Sequence, residues 1–461
     1  HRATQVVRPF DRVIDTGTPW NAFNELGGVS FNIDADVGPG TLTATTAWRY
    51  WNWGPSNDRD YIALEVGLLS QAPSKHEQVT HEIRWAGDFS QRLNAVFGLF
   101  AFDQQLISDP VQTEAVGVDY ARFRNPNLVA EWGPEGTVYP NYYAGQRREV
   151  TNRLDTTSVA LFSQLDWAIG ERLHLIPGLR LNYDDKEIYY NLRALGIPDP
   201  ALFAPTPPPS DHPYSDSGDV RNARSDSNVS GQLTLAYHAD GGNHYYVTYA
   251  TSYKTIGVNL GNNQTPIPPE DVSHLELGLK STPTSRSTVN LALYDTVIEN
   301  FQTQVLLPGS TRPVIASAKE VTVRGVELDS SVEIGDRWSL YGALAYADAT
   351  YSSFANAPAP LELTGYSSQV DATGGSLPGI SKWTGSFGGE HHRQVDFFGS
   401  SGEFFAGFDL FFRDDFSSSA TPSEFLNIDG YGLANLRLGY RSDDSWSAYF
   451  WARNALDEDY F

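Results

Sequence analysis

The feature that most constrains this chain is alternation. About 16 segments, many about ten residues long, change between apolar and polar at every residue. In Thr41–Tyr50, Leu42, Ala44, Trp48 and Tyr50 fall on one side, and Thr41, Thr43, Thr45 and Arg49 on the other. In Gln232–His238, Leu233, Leu235 and Tyr237 oppose Gln232, Thr234 and His238. Tyr245–Tyr253 and Trp446–Arg453 repeat the pattern. Period two sends alternate side chains to opposite faces of a sheet, whereas a helix needs spacings of three and four. No run of ~18 apolar residues is present, which excludes a membrane-crossing helix. It does not exclude a membrane-crossing strand, because alternation averages out in hydropathy. A soluble sandwich also alternates, so periodicity alone leaves both architectures open.

The connections decide between them. Short links, Gly38–Gly40, Ser90–Arg92, Ile169–Arg172, Asp240–Asn243, Ser281–Thr284, Ile334–Asp336 and Asp443–Asp444, carry the Gly, Pro, Asn and Asp that tight turns need. Between them come long polar or Pro-rich links: Gly54–Lys75, Asp109–Val150, Leu192–Ser225, Tyr253–Asp271, Phe301–Lys319, Tyr351–Pro378 and Asp414–Asp429. A further link near His391–Glu403 is of middling length. Strict alternation of short and long links is the habit of an antiparallel meander barrel with short periplasmic turns and long extracellular loops. A tilted strand of about ten residues crosses a bilayer, and closure satisfies every backbone polar group inside hydrocarbon. The fold class expected is therefore all-β, a transmembrane meander β-barrel in a bacterial outer membrane. Aromatics at strand ends, such as Trp48, Tyr50, Trp51, Trp53, Tyr189 and Tyr190, suit its interfacial girdles.

Composition removes other functions. The 24 excess negative charges oppose nucleic acid as a partner. With no Cys there is no thiol nucleophile, disulfide frame or zinc–thiolate site. The 13% aromatic content excludes a disordered acidic chain. Catalytic spacings are near misses. His76 and His81 would face opposite ways on a strand. His391 and His392 read as a solvated pair at a strand end or turn. Asp34 and Asp36 begin a calcium-like loop that Gly38–Gly40 turns into a hairpin. No nucleophile elbow or phosphate-cradling glycine loop occurs. No enzyme activity and no cofactor are expected.

Binding chemistry is better represented. The long link Asp109–Val150 carries Arg122, Arg124, Trp132, Tyr139, Tyr142, Tyr143, Arg147 and Arg148. Rings interspersed with guanidinium groups suit planar, sugar-like or anionic ligands. The same residues could instead anchor the loop to its neighbours or to lipopolysaccharide phosphates. Trp53, at an outer strand end, joins them as a candidate. Asp58 and Asp60 in the first long link are a weak calcium candidate beside the simpler reading of a solvated loop.

Ordered motifs then give a family resemblance. Asn228–His238 with Tyr246–Lys254 resembles paired mid-barrel strands of TonB-dependent outer-membrane receptors. Glu270–Lys280, Val323–Asp329, Ser339–Tyr351, Leu377–Trp383, Gly430–Arg441 and Trp451–Tyr460 resemble later strands of that family, in the right order. Leu42–Trp53 and Gln78–Arg84 are similar to proteobacterial, sphingomonad-like members. The resemblance implies active uptake of a scarce large nutrient, such as a ferric siderophore, a cobalamin or an oligosaccharide. It implies the bilayer, lipopolysaccharide and the nutrient as partners, and a TonB–ExbB–ExbD energy complex acting through an N-terminal plug. A monomer, or one part of a larger outer-membrane assembly, is expected. The plug, its TonB box and a last strand are not evident, and the family norm of about 22 strands exceeds the count here. Residues 1–461 are thus expected to be one incomplete barrel domain of a mature, trimmed or incompletely represented chain, which starts at His1 and holds no Met. The alternatives are a passive 16-stranded porin and a soluble, secreted β-rich carbohydrate-binding protein.

Overall fold

A computed structural model describes residues 16–460 apart from 19, 59, 61–63, 121–143, 197–217, 259–266, 307–312, 364–366, 368, 398, 422 and 444–445. In chain order the strands are β1 (Asn21–Val37), β2 (Gly40–Ser56), β3 (Gly67–Gln71), β4 (Ser74–Ser90), β5 (Leu93–Ser108), β6 (Gln112–Val116), β7 (Arg147–Ala168) and β8 (Leu173–Leu195). They continue as β9 (Gly218–Ala239), β10 (Asn243–Lys254), β11 (Glu270–Thr284), β12 (Ser287–Leu306), β13 (Pro313–Ile334), β14 (Trp338–Ser353), β15 (Ala357–Pro358) and β16 (Gln369–Val370). The last are β17 (Trp383–Phe397), β18 (Ser400–Arg413), β19 (Phe416–Ser417), β20 (Asn427–Ile428), β21 (Tyr431–Ser442) and β22 (Ser447–Ala452).

Eighteen strands share one sheet. Without the short β3 and β6, the other sixteen form an all-antiparallel meander in which each strand pairs with the next along the chain. Among the described residues β1 pairs with β2 alone and β22 with β21 alone.

The faces follow the sequence pattern. Directly paired residues share a face. One row therefore runs Ile33, Ala44, Ile83, Leu99, Leu161, Leu181 and Val229 across seven strands. Its large members are exposed although apolar. A broad apolar surface without a protein partner is what a barrel offers to lipid. Two acidic residues on this face are paired where the apolar band ends. Asp295 meets Arg324 at 2.6 Å, and Asp348 meets Lys382 at 3.9 Å. Just inside that edge the rings of Tyr346 and Trp383 lie 4.8 Å apart, as an interfacial girdle should.

The opposite face is polar. Tyr246 donates its hydroxyl to Glu276 at 2.6 Å and lays its ring over Gly278. Tyr294 likewise covers Gly325, and Tyr341 covers Gly388 while bonding Asp409. Only a residue without Cβ leaves room for these rings. Arg437 binds Asp409 and, at 2.9 Å, Glu390 on the same face.

Three expectations change. The link near His391–Glu403 is a tight turn around Gly399, whose φ of +80° suits glycine. His391 and His392 consequently lie inside β17, with the His391 ring 4.7 Å from that of Trp338. Several strands also run further into the long links than alternation suggests: Arg147–Val150 belongs to β7, and the segment from Gly218 to Ser225 belongs to β9.

At the long-link end the sheet is extended rather than capped by loose chain. β3 pairs with β6, and β6 takes over from β5 as the neighbour of β7. A separate core of Val305, Ala318, Val321, Ala349, Tyr351, Phe354, Ala357, Ala372 and Leu377 packs the link after β14 against β12 and β13.

Candidate functional site

On the polar face near the long-link end, two residues of β2 present a flat aromatic surface. Trp51 and Trp53 are two apart, so the strand pleat aims both the same way. Their rings stack at 5.6 Å and 16°. Trp51 lies opposite His76 of β4, with ring centres 4.8 Å apart. The Trp51 indole N–H donates to Asn24 on β1. Ser74, opposite Trp53, lies 3.3 Å from His76 Nε2 through its hydroxyl. The indoles are thus held from one side by β1 and from the other by β4. Trp53 keeps 39% of its surface exposed, enough to stack a further planar group.

The same face carries a second aromatic–cation group far along the sheet. The Arg413 guanidinium sits 3.7 Å from the centre of the Phe416 ring. It donates to Ser381 Oγ and to the Gly379 carbonyl, each at 3.0 Å. Tyr431 stands opposite Arg413, and its ring lies 5.0 Å from that of Tyr460. A guanidinium flattened on a ring binds carboxylates and planar anions.

The residues singled out from sequence fare unequally. Trp53 is in the site. Arg147 and Arg148 are on β7, where the pleat separates them. Arg148 is turned to the polar face, 3.7 Å from Glu114 and beside Tyr190. Arg147 is turned to the other face, 3.2 Å from Glu149. The pair therefore does not act as one anion clamp. Arg122, Arg124, Trp132, Tyr139, Tyr142 and Tyr143 lie outside the described residues.

Asp58 is buried and engaged with its own chain. It accepts from the Gly17 N–H at 2.9 Å and the Asp60 N–H at 3.4 Å. Burial raises its carboxyl pKa, but the hydrogen bonds from Thr16, Gly17, Thr18 and Asp60 outweigh burial and hold it below the usual value. Asp60 accepts from the Gly67 N–H. Asp58 thus ties the segment before β1 to the β2–β3 link, and Asp60 ties that link to the start of β3. Sequence reading missed Trp51 as the partner of Trp53 and His76 as the partner of Trp51. The equal parity of the two indoles was the signal for the first; the β2–β4 register that puts His76 level with Trp51 comes from the structure.

Comparison with known proteins agrees with this architecture. A family model described as TonB dependent receptor-like, β-barrel, matches residues 5–455. The pesticin receptor of Yersinia pestis is 25% identical over 187 residues, which are 40% of this chain and 24% of that protein. The ferric yersiniabactin uptake receptor FyuA of Yersinia pestis superposes with a TM-score of 0.71 at 16% identity, over 97% of this chain and 58% of that one. The ferric-catecholate import receptor Fiu of E. coli K12 does so with a TM-score of 0.63 at 16% identity, over 97% and 62%. The chain thus spans a quarter of the first relative and about three fifths of the two structures. With an apolar outside, a polar inside and a family match along nearly its whole length, the chain belongs to the TonB-dependent receptor-like β-barrel family.

Proposed function

We propose that this chain is the barrel wall of an outer-membrane receptor that imports a scarce large nutrient, and that a ferric siderophore is the best fit. The short turns face the periplasm and the long links face outward. The polar face lines the lumen, and the TonB–ExbB–ExbD complex drives uptake through a plug held there. Lipid and lipopolysaccharide cover the apolar face.

The observation that carries the reading is the Trp51–Trp53 stack with His76, placed on the inner face near the outer end. Two coplanar indoles suit the aromatic or conjugated arms of an iron chelate. FyuA and Fiu, named for ferric yersiniabactin and ferric catecholates, share the fold and support the ligand class. The sixteen long strands would suit a porin, but the match of the receptor-family model along nearly the whole chain favours the receptor.

Tryptophan fluorescence of the chain purified from outer membranes in detergent tests this. Titration with a panel of ferric siderophores should give saturable quenching by at least one. Trp51→Ala with Trp53→Ala should weaken that affinity about tenfold, the value of one lost aromatic stack. No quenching by any ferric chelate, or an unchanged affinity in the double variant, overturns the assignment.

A further inference from the structure

Near the long-link end of the apolar band the wall parts between β9 and β10. Among the described residues these strands pair from Asn243 opposite Ala239 to Thr251 opposite Gly231 and no further. β9 continues with β8 to Gly218, and β10 continues with β11 to Lys254. The chain leaving β10 reaches back to β8. The Tyr253 hydroxyl bonds the Asp184 carboxylate, and Lys186 donates its ammonium to the Ile256 carbonyl at 2.8 Å. β9 lies between β8 and β10, so both bonds pass over it. Asp184 and Lys186 have the opposite parity to Leu181 and Tyr183, which are exposed on the apolar face. The crossing is therefore on the lumen side.

Residues 253–258 thus form a strap across the lumen face of β9. Among the described residues, the hydrogen bonds that tie it to β8 and β12 all come from side chains. Gln302 of β12 donates to the Thr255 and Pro268 carbonyls at 3.1 and 3.0 Å, and Gly257 bridges Ile267 within the same link. The links after β14 and β18 are held differently. The Gly379 N–H of one donates to the Ser417 carbonyl of the other at 2.7 Å, and the first packs the apolar core around Tyr351. A segment held by a few polar bonds opens at lower cost than one held by a packed core. The acceptor that Lys186 has is also a weak one. An oxygen anion attracts an ammonium more strongly than a neutral carbonyl does at the same distance.

We propose that this strap is an autoinhibitory contact: it occupies Lys186 and Asp184 on the lumen wall until an oxygen-rich anionic ligand takes the Lys186 ammonium from the Ile256 carbonyl. Release frees the lumen face of β9, where Arg224 stands opposite Lys186 and Asp226 opposite Asp184. A carboxylate or catecholate oxygen at Lys186 binds only the open arrangement, and that difference in affinity is what shifts the strap. The ligand class rests on the importer reading. The strap and its latch rest on the bonds from β8 alone.

The chain has no Cys, so Ile256→Cys gives a single site for a maleimide on the full chain purified from outer membranes. Without ligand, Lys186→Met and Tyr253→Phe in that background should each speed labelling about tenfold, the shift expected from one lost bond to a charged group. Lys186→Arg, which keeps a cation, should leave labelling slow. So should Lys75→Met, which alters a lysine on the apolar side. At least one ferric siderophore of the panel should speed labelling while Lys186 is present, and should add nothing in Lys186→Met. A Lys186→Met/Tyr253→Phe chain that keeps its heat-modifiable migration and labels at the parental rate overturns the latch. A panel in which no siderophore speeds labelling overturns the autoinhibition. Indole quenching without faster labelling strikes this inference and leaves the importer reading standing, so the two failures are told apart.

Discussion

The Tyr246 hydroxyl reaches Glu276 at 2.6 Å because its ring lies flat across Gly278, the residue two beyond Glu276 on the same strand. Tyr294 over Gly325 and Tyr341 over Gly388 repeat the device, so the glycines are seats for rings rather than weak points in the strands. A Cβ at Gly278 would overlap the tyrosine ring. Gly278→Ala should therefore destabilise the barrel by about 1–3 kcal/mol. Urea midpoints in detergent should show this, and Tyr246→Ala should cancel most of it in the double variant. Additive losses would mean that the ring and the glycine are not coupled.

Arg147 and Arg148 should behave differently despite being adjacent. Arg148→Ala removes a guanidinium from beside Glu114, which is only 16% exposed, and should cost about 1–2 kcal/mol. Arg147→Ala removes a half-exposed pair and should cost under about 0.5 kcal/mol. Only the Arg148 change should weaken ligand binding, because only that side chain is on the inner face. Quenching titrations of the two variants give the comparison.

The link held by Asp58 should loosen in acid. Its folded pKa is lowered, so its contribution is fully present above the unfolded value of about 3.9 and lost as pH falls through the lower folded value. Hydrogen exchange should find the Gly17 amide protected at neutral pH and unprotected well below about pH 4. Asp58→Ala should abolish protection at every pH. Protection that persists in Asp58→Ala would place the anchor elsewhere.

Leu161 sits midway in the exposed apolar row. Leu161→Arg puts a charge into lipid and should cost about 2–4 kcal/mol, read as a fall in the heat-modifiable folded fraction. Thr157→Arg, on the same face but beyond the apolar residues of β7, should be tolerated.

Which side chains face which way was legible in the sequence, because period two is a property of the backbone and lipid enforces it. Leu233, Leu235 and Tyr237 stand on the exposed face as read, and Thr234 bonds Thr248 on the other. Strand ends were less legible. Beyond the bilayer a ladder needs backbone partners but no apolar row, so Arg147–Val150 pairs within the sheet while looking like a loop. His391 and His392 were misplaced because polar residues beside glycines imitate a turn. The core around Tyr351 depends on segments far apart in sequence, and no local pattern announces it. The indole site needed the β2–β4 register, which no local pattern announces.

The meander also has a kinetic consequence. Every long strand pairs with its predecessor, so each addition closes only the loop between two consecutive strands. The entropy of such closures grows slowly with loop length. Growth can proceed hairpin by hairpin from any nucleus, with one advancing edge at each end. A topology whose contacts are near in sequence suits a chain that must thread into a bilayer while exposing little unpaired backbone at any moment.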